Sequence, residues 1–573
     1  MDTSKTLQPE FIKTLENSGN SYSFGAAKIQ QRRHPEWVEN YQLYRLKVQT
    51  NRLTQRQSVV MPLMKETIKT GLAKHKYIDI GFSDIGQDDQ SSIDFNEYWE
   101  HVVKNNKLFL KDKQDAKQEA LYGRTFMKMG IVDGEVMFSV EDPIDITVDQ
   151  FADPADINGT ANFMEHRHIF RSMSYIKGNK YYDPKGIQLL KEKLSGTENT
   201  IIEDGERAYD SQAQTKMASI GESNPLENSV GDVFVEMREQ YIKYLDPEDG
   251  KNHIFLRIVA EGITLYIVRL SDELGIDFFP FITWASDLER TDIWSDGVAD
   301  IVRVPNKILN SWLSQLVENR TLRNLGMYFY DATADETWVP QNYDPISWGW
   351  YGVPGDPNKV AKRMDIPELS ESLDEMNFLI GSVERATAAT AMEKGVTEQG
   401  NMTLGEIKIV TQNAKDRLAD SVEYRLQARL EMGEKVQKLI VANKNILNPV
   451  KRSKKGFDGK VYQHDIDPKT FSDKGYFAEV VILDDQKAKD LQSLQMMQGV
   501  SGLYPNNIPL KRILQSKALN IIDGLSKDEK DEILQFQKSL DEKMAQGNTM
   551  APAPAPATAP APSPSPELTN INQ

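Results

Sequence analysis

Three groups of residues in this sequence have the types and spacing to do chemistry. His166-x-His168 falls in a run that reads as a strand, Phe163 to Arg171, where alternate residues face one side, so the two imidazoles could share a metal. A metal site needs further ligands, and with none evident nearby the pair reads better as two surface histidines. Pro154-Ala-Asp156-Ile-Asn158-Gly159 with Glu165 matches a calcium loop at its third, fifth, sixth and twelfth positions. Proline replaces the first carboxylate and strands flank the stretch, so a turn held by Asx hydrogen bonds is the better reading. Asp292, Asp296 and Asp300 resemble a nuclease metal cluster, but at four-residue spacing before a helical run they favour its N-terminus through the dipole. A phosphate loop, a nucleophile elbow and a His-Glu-x-x-His helix are all missing from the sequence. The expectation is a protein without catalytic residues, metal or cofactor.

At 573 residues the chain is too long for one ordinary core, which predicts two to four structural units. Its apolar content of 39% suffices for a globular body. A net charge of −17 argues against a protein that wraps phosphate backbone, since such proteins gain affinity by neutralising phosphates. Cysteine is absent, so packing or assembly rather than disulfides must hold the fold. No apolar run reaches the roughly 20 residues that span a bilayer, and no signal peptide is evident, so the reading is a soluble protein made in the cytoplasm.

Pattern assigns the chain to the α+β class. Residues 1–27 read as a flexible arm, with a weak amphipathic piece at Phe11 to Leu15 and a loose stretch from Asn17 to Gly25. A helix follows from Pro35 with Trp37 on its apolar face, then a short strand leading into a helix over Thr54 to Ala73. Two helices lie between Phe95 and Tyr122, ended by Gly123. Strands come next at Thr125 to Ile131, Glu135 to Val140 and Ile144 to Val148, with Asp133-Gly134 as a hairpin turn. Further strands are read at Val233 to Tyr244, His253 to Ala260, Thr264 to Leu270 and Phe278 to Trp284, with a polar surface excursion at Lys191 to Asn228. Beyond Asn443 come a strand at Phe477 to Leu483 and several helices, the last opened by the capping box Ser526-Lys-Asp-Glu529. From Gly547 the Ala-Pro repeats predict an extended, disordered tail.

The rest is organised around Gly297 to Ile440. A helical run over 297–323 places Ile301, Val304, Ile308, Trp312 and Leu316 at three- and four-residue steps. Pro305 should kink it or mark its start. The insert 324–364 crowds Trp338, Tyr343, Trp348, Trp350 and Tyr351 among prolines. Either they pack in a small sheet or they are buried against neighbours, since interface centres are rich in such residues. A returning helix over 365–392 carries Glu368, Glu371, Asp374, Glu375 and Glu384 against only Arg385. Such a face is usually solvated, but in a ring it would line an acidic channel that repels DNA. A polar loop, Glu393 to Asn401, precedes the capping box Thr403-Leu-Gly-Glu406 of a helix about 60 Å long. That helix carries Ile407, Val410, Ala414, Leu418, Val422, Leu426 and Leu430 on its apolar face, a sustained period also compatible with a coiled coil or bundle.

In order and length these elements resemble the portal protein of tailed bacteriophages over all but the two ends of the chain. Tyr122-Gly123-Arg124-Thr125-Phe126, followed by a hairpin and Glu141-Asp-Pro143, is similar to the wing of that family. The resemblance implies a wing at 28–296, a descending stem helix at 297–323, a clip at 324–364 and an ascending stem helix at 365–392. It further implies a tunnel loop at 393–402, a long helix returning to the wing at 403–484, a crown at 485–546 and the tail at 547–573. It places Glu393, Lys394, Gly395, Thr397, Glu398, Gln399 and Gly400 at the DNA channel, Glu371, Asp374, Glu375 and Glu384 along its stem, and the clip's five aromatics with Asp331, Asp335 and Glu336 at the docking surface. The implied function is a ring of about twelve copies at one capsid vertex of the virion, through which double-stranded DNA is packaged and ejected. Implied partners are the large terminase subunit, major capsid and scaffolding proteins, and head-completion or tail adaptors, with no membrane.

Two other classes fit the residues: another ring or adaptor of a virion, and a metal-dependent nucleic-acid enzyme using Asp292 to Asp300. Metal-stimulated nuclease activity lost in Asp296→Ala selects the enzyme; a large ring with a duplex-wide hole selects the portal.

Overall fold

The computed structural model describes residues 7–47, 59–75, 77–86, 88–195, 234–290, 292–325, 328–330, 356, 361–363, 372–387, 419–455 and 461–481. The chain divides into two compact units, Met1–Val450 with Ile466–Ile482, and Lys451–Asp465 with Leu483–Gln573. It mixes helix and sheet, as an α+β chain should.

The first unit opens with α1 (Pro9–Gln30), α2 (His34–Tyr44), α3 (Leu63–Lys74), β1 (Asp79–Asp84), α4 (Asp89–Asn105) and α5 (Leu108–Tyr122). Strands β2 (Arg124–Val132), β3 (Glu135–Glu141) and β4 (Ile146–Val148) follow, then α6 (Ile157–Thr160), β5 (Phe163–Ser172), α7 (Met173–Gly178) and α8 (Pro184–Ser195). Next come β6 (Phe234–Leu245), β7 (Asn252–Ala260), β8 (Ile263–Arg269), α9 (Leu270–Leu274) and β9 (Phe281–Ala285). Helix α10 (Val298–Leu325) leads through β10 (Tyr328–Tyr330) and β11 (Ala361–Arg363) to α11 (Ser372–Thr387) and α12 (Ala419–Ala442). Strands β12 (Val450–Lys455) and β13 (Val461–Ile466) form a two-stranded sheet, which holds the described residues of the second unit. Strand β14 (Tyr476–Val481) returns to the first unit and pairs antiparallel with β1, from Asp79 opposite Val481 to Asp84 opposite Tyr476. The sequence reading missed β1, whose burial alternates through Ile80, Phe82 and Asp84.

Two antiparallel sheets make the body, one ordered β3-β2-β9 and the other β4-β5-β6-β7-β8. The β2–β3 turn has Asp133 and Gly134 both at positive φ, 52° and 78°, as a two-residue hairpin with native twist requires. The largest core joins the helices α2 to α5 to β1 to β3, β9, α10 and α12, and it includes Trp37, Trp99, Phe126, Phe281 and Trp294. A smaller one, around Ile176, Leu190 and Met237, lies beneath α7 and α8.

Residues 9–30 form one helix, which corrects the flexible-arm reading of 1–27 over those positions. Phe11, Leu15 and Ala26 pack on Phe163, Ile242 and Phe255 of the five-stranded sheet. The polar residues between them, whose character suggested a loose stretch, meet buried polar partners. Buried Arg257 donates to Asn20 Oδ1 at 2.9 Å and Gln240 Oε1 at 2.8 Å, and Ser23 donates to the buried Glu165 carboxylate at 2.8 Å. A Cβ on Gly19 would come within 2.8 Å of Gln240 and Ile242, so the glycine lets helix and sheet approach. Hydrophobic periodicity is blind to such an interface because its partners are polar on both sides.

Gly123 ends α5 at φ +82°, and a Cβ there would lie 1.7 Å from the Ser295 carbonyl oxygen. Gly297 returns the constraint: its Cβ would stand 2.8 Å from the Glu119 carbonyl oxygen and 2.8 Å from the Gly123 nitrogen. The end of α5 and the approach to α10 are therefore in backbone contact. Gly123→Ala is expected to destabilise the folded chain by more than about 2 kcal/mol, through both left-handed strain and the clash. A lowered denaturant midpoint measures this.

Candidate functional site

The residues expected to face DNA or a docking partner fall mostly outside the described positions. These are Glu393 to Gly400, Glu371, and the clip set Asp331, Asp335, Glu336, Trp338, Tyr343, Trp348, Trp350 and Tyr351. What is described is the frame that carries them. Helix α10 packs on α11, and at their shared end Tyr328, Phe329 and Tyr330 pair antiparallel with Arg363, Lys362 and Ala361. This pairing closes the base of the insert, so the chain leaves α10, makes its excursion and returns into α11.

On α11, Asp374 and Glu375 are exposed in the first turn, while Glu384 is partly buried. Met376 and Val383 face the core, with Leu379 and Ile380 packed beside them. Helix α10 runs unbroken through Pro305. Its sequence-read apolar face is only partly covered: Trp312 and Leu316 pack against the core, whereas Ile301, Val304 and Ile308 are 48%, 57% and 37% exposed. The inward face is Ala299, Val302, Asn306 and Leu309 instead.

Asn306, Asn310 and Ser314, one turn apart on α10, form a polar ladder. They accept the backbone N–H groups of Met64, Met61 and Val59 at 3.4, 2.8 and 3.0 Å. The described part of the expected strand, 59–62, belongs to no sheet; side chains of α10 satisfy the Val59 and Met61 amides in place of a neighbouring strand.

At the start of α10, Asp300 Oδ2 accepts the Gly297 N–H at 2.9 Å, and its Oδ1 accepts Asn40 Nδ2 at 3.0 Å and Arg303 Nη1 at 2.8 Å. Arg33 donates to Asp296 at 2.6 Å and bridges to Asp300 at 3.4 Å. Asp292 accepts the Trp294 N–H at 2.9 Å. Asp296 and Asp300 thus anchor the start of the helix and Asp292 holds a turn ahead of it, and among the described residues no group of three or more His, Asp or Glu side chains is arranged to hold a metal.

His166 and His168 are not surface residues. Their side chains are 13% and 3% exposed, beside Glu141 at 3.3 Å and Asp145 at 2.9 Å, and a bulge at His168 (φ 57°) breaks the alternation that would have put both imidazoles on one side. Burial pushes His166 down to about 4. The 154–165 stretch is more than the expected Asx turn: Asp153 Oδ1 accepts the Ala155 N–H at 3.0 Å, Asp156 then caps the short helix α6 by accepting the Gly159 N–H at 2.9 Å, and Glu165 lies on β5 in the sheet beneath α1.

The most heavily buried charges lie where α12 meets α5. Asp112, 1% exposed, takes Arg425 Nη2 at 2.7 Å, Arg429, and His75 Nε2 at 2.8 Å. Burial lowers both arginines, Arg425 to about 10. His75 falls to about 3 through burial and then the two guanidiniums, which already satisfy the carboxylate it touches. This arrangement also turns α12 from its expected face: Val422 is 45% exposed, while Arg425, Ala428, Arg429 and Met432 point inward. The sequence carried no signal for it, since Asp112 is some three hundred residues from its arginines.

No protein-family model matches the chain, and no curated protein matches it. Among the described residues, no helix is long and apolar enough to cross a membrane.

Two outcomes follow from the buried charges. Asp112→Ala strands two guanidiniums and should cost about 3–5 kcal/mol, visible as a lowered unfolding midpoint. His75 is neutral in the fold but free to charge when unfolded, so its contribution is lost as pH falls below about 6.5. His75→Gln, which can still donate to Asp112, should flatten the acid limb of a stability-versus-pH curve.

Proposed function

We propose that this chain is a subunit of a portal ring of the tailed-phage type, seated at one capsid vertex of the virion, through which double-stranded DNA is packaged and ejected. The ring has no chemistry of its own. It docks the large terminase subunit during packaging and head-completion or tail adaptor proteins afterwards, and it sits among capsid and scaffolding proteins.

The observation that carries this reading is the helix pair α10 and α11, packed on each other and joined through the β10–β11 closure with a long insert between. A stem with a clip at its end has this layout. Ile301, Val304 and Ile308 make an uncovered apolar face on α10 that a neighbouring copy in a ring would bury. The net charge of −17 and the exposed Asp374 and Glu375 suit a channel wall that repels phosphate. The enzyme alternative loses support because Asp296 and Asp300 are engaged by arginines.

Electron microscopy and mass photometry of the purified chain test the reading. The expected result is a closed ring of about a dozen copies around a hole wide enough for a duplex. A monomer or dimer across concentration and salt overturns it. Val304→Glu should prevent ring closure while leaving the monomer folded. Shortening Gly395 to Gly400 should impair packaging or DNA retention while leaving rings intact.

A further inference from the structure

Glu119 sits in the last turn of α5, 5% exposed, one turn before the Gly123–Gly297 contact. Ser286 stands beside its carboxyl, and Oε1 is buried with no hydrogen-bond partner. Asp115, one turn earlier, is satisfied at both oxygens, by Thr125 Oγ1 at 2.6 Å and Trp284 Nε1 at 2.7 Å. Of the three buried acids on this face of α5, Asp112 is paired with two guanidiniums and Asp115 is hydrogen-bonded, so Glu119 is the one whose ionised form would leave a charged oxygen without a partner. Among the described residues no cation pairs with it. Asp115 acts on it from the same helix, which also carries Asp112, and the elements packed against α5 carry His75 just after α3, Arg124 of β2, Arg425 of α12, and Arg33 and Asp300 near the root of α10. Each of these has partners of its own.

The main chain of the same residue is part of the joint. The Glu119 carbonyl accepts the Gly123 N–H at 2.7 Å and faces Gly297. Ser286, the carboxyl's neighbour, begins the segment that runs to Gly297 and into α10.

We propose that Glu119 is held in its neutral form and acts as a proton-sensitive latch, whose ionisation loosens α5 from the segment 286–297 that roots α10. Burial pushes Glu119 up to about 7, with Asp115 adding to the rise, and burial pushes Asp115 up to about 6. The sign is opposite to that of the histidines: the fold holds a proton that the unfolded chain releases, so stability falls as pH rises from the ordinary carboxyl range through the folded value.

Thermal unfolding of the full chain and of Glu119→Gln, at about pH 5 and about pH 8.5, tests the latch. The wild type should lose several degrees relative to the variant as pH rises. A gap between the two that does not change with pH overturns the proposal, because a merely structural Glu119 would shift both conditions alike. If Glu119→Gln does not fold, infrared spectroscopy of Asp115→Asn, which removes the neighbouring acid that burial also pushes up, serves instead. A protonated buried carboxyl present near pH 6 and lost by about pH 8.5 supports the latch, and its absence near pH 6 overturns it.

Discussion

The backbone contact between Gly123 and Gly297 is the constraint on which the rest of the first unit depends. It brings the C-terminus of α5 against the segment entering α10, with no room for a side chain on either strand of the contact. Everything around it serves to hold that approach. Asn40 of α2 links the Leu121 carbonyl to Asp300, and Arg33 reaches Ser295, Asp296 and Asp300. The direction in which α10 leaves the body is therefore set by hydrogen bonds and ion pairs at its first turn, and by Val302 and Leu309 in the core beyond it.

A second dependence runs through α12. This helix is seated as much by polar groups as by apolar ones: Arg425 and Arg429 on Asp112, Lys435 on the carbonyls of Phe279 and Phe281, and Asn443 on that of Leu274. Buried ion pairs add little net stability compared with an apolar core, but they are strict about register, because a slipped helix strands the charges. Together with β14 on β1, they return the late part of the chain to the body begun by the early part. Under the portal reading, α12 is the end of the helix that follows the channel loop, so the same contacts would fix where that loop is presented.

The strands and the turns between them were legible in the sequence. Alternating apolar residues, Asp133-Gly134 and the helix-ending Gly123 located β2, β3, β5, β6, β7 and β8 to within a residue or two. Local rules suffice where one face is apolar and the breaks are made by glycine. They failed where the interface is polar. The middle of α1, Asn17 to Gly25, reads as loose in sequence because residues such as Asn20 and Ser23 are hydrophilic, though both are bonded inside the fold. On α10 and α12 the apolar period was real, but it did not say which residues a single chain buries: Ile301, Val304 and Val422 remain exposed.

The sequence by itself determined the α+β class, the order of helix, insert and returning helix, and the lack of any familiar catalytic constellation, because these depend on periodicity and spacing along the chain. Only the tertiary structure decided the fate of the ionisable groups. Asp296 and Asp300 are anchored by Arg33, which arrives from the stretch before α2, while Arg303 adds a contact from the same helix as Asp300. His166 and His168 became buried partners of carboxylates, and Asp112 acquired two arginines across most of the chain's length. A charged residue's role is set by what stands within a few ångströms of it, and that is fixed by packing between segments that are remote in sequence.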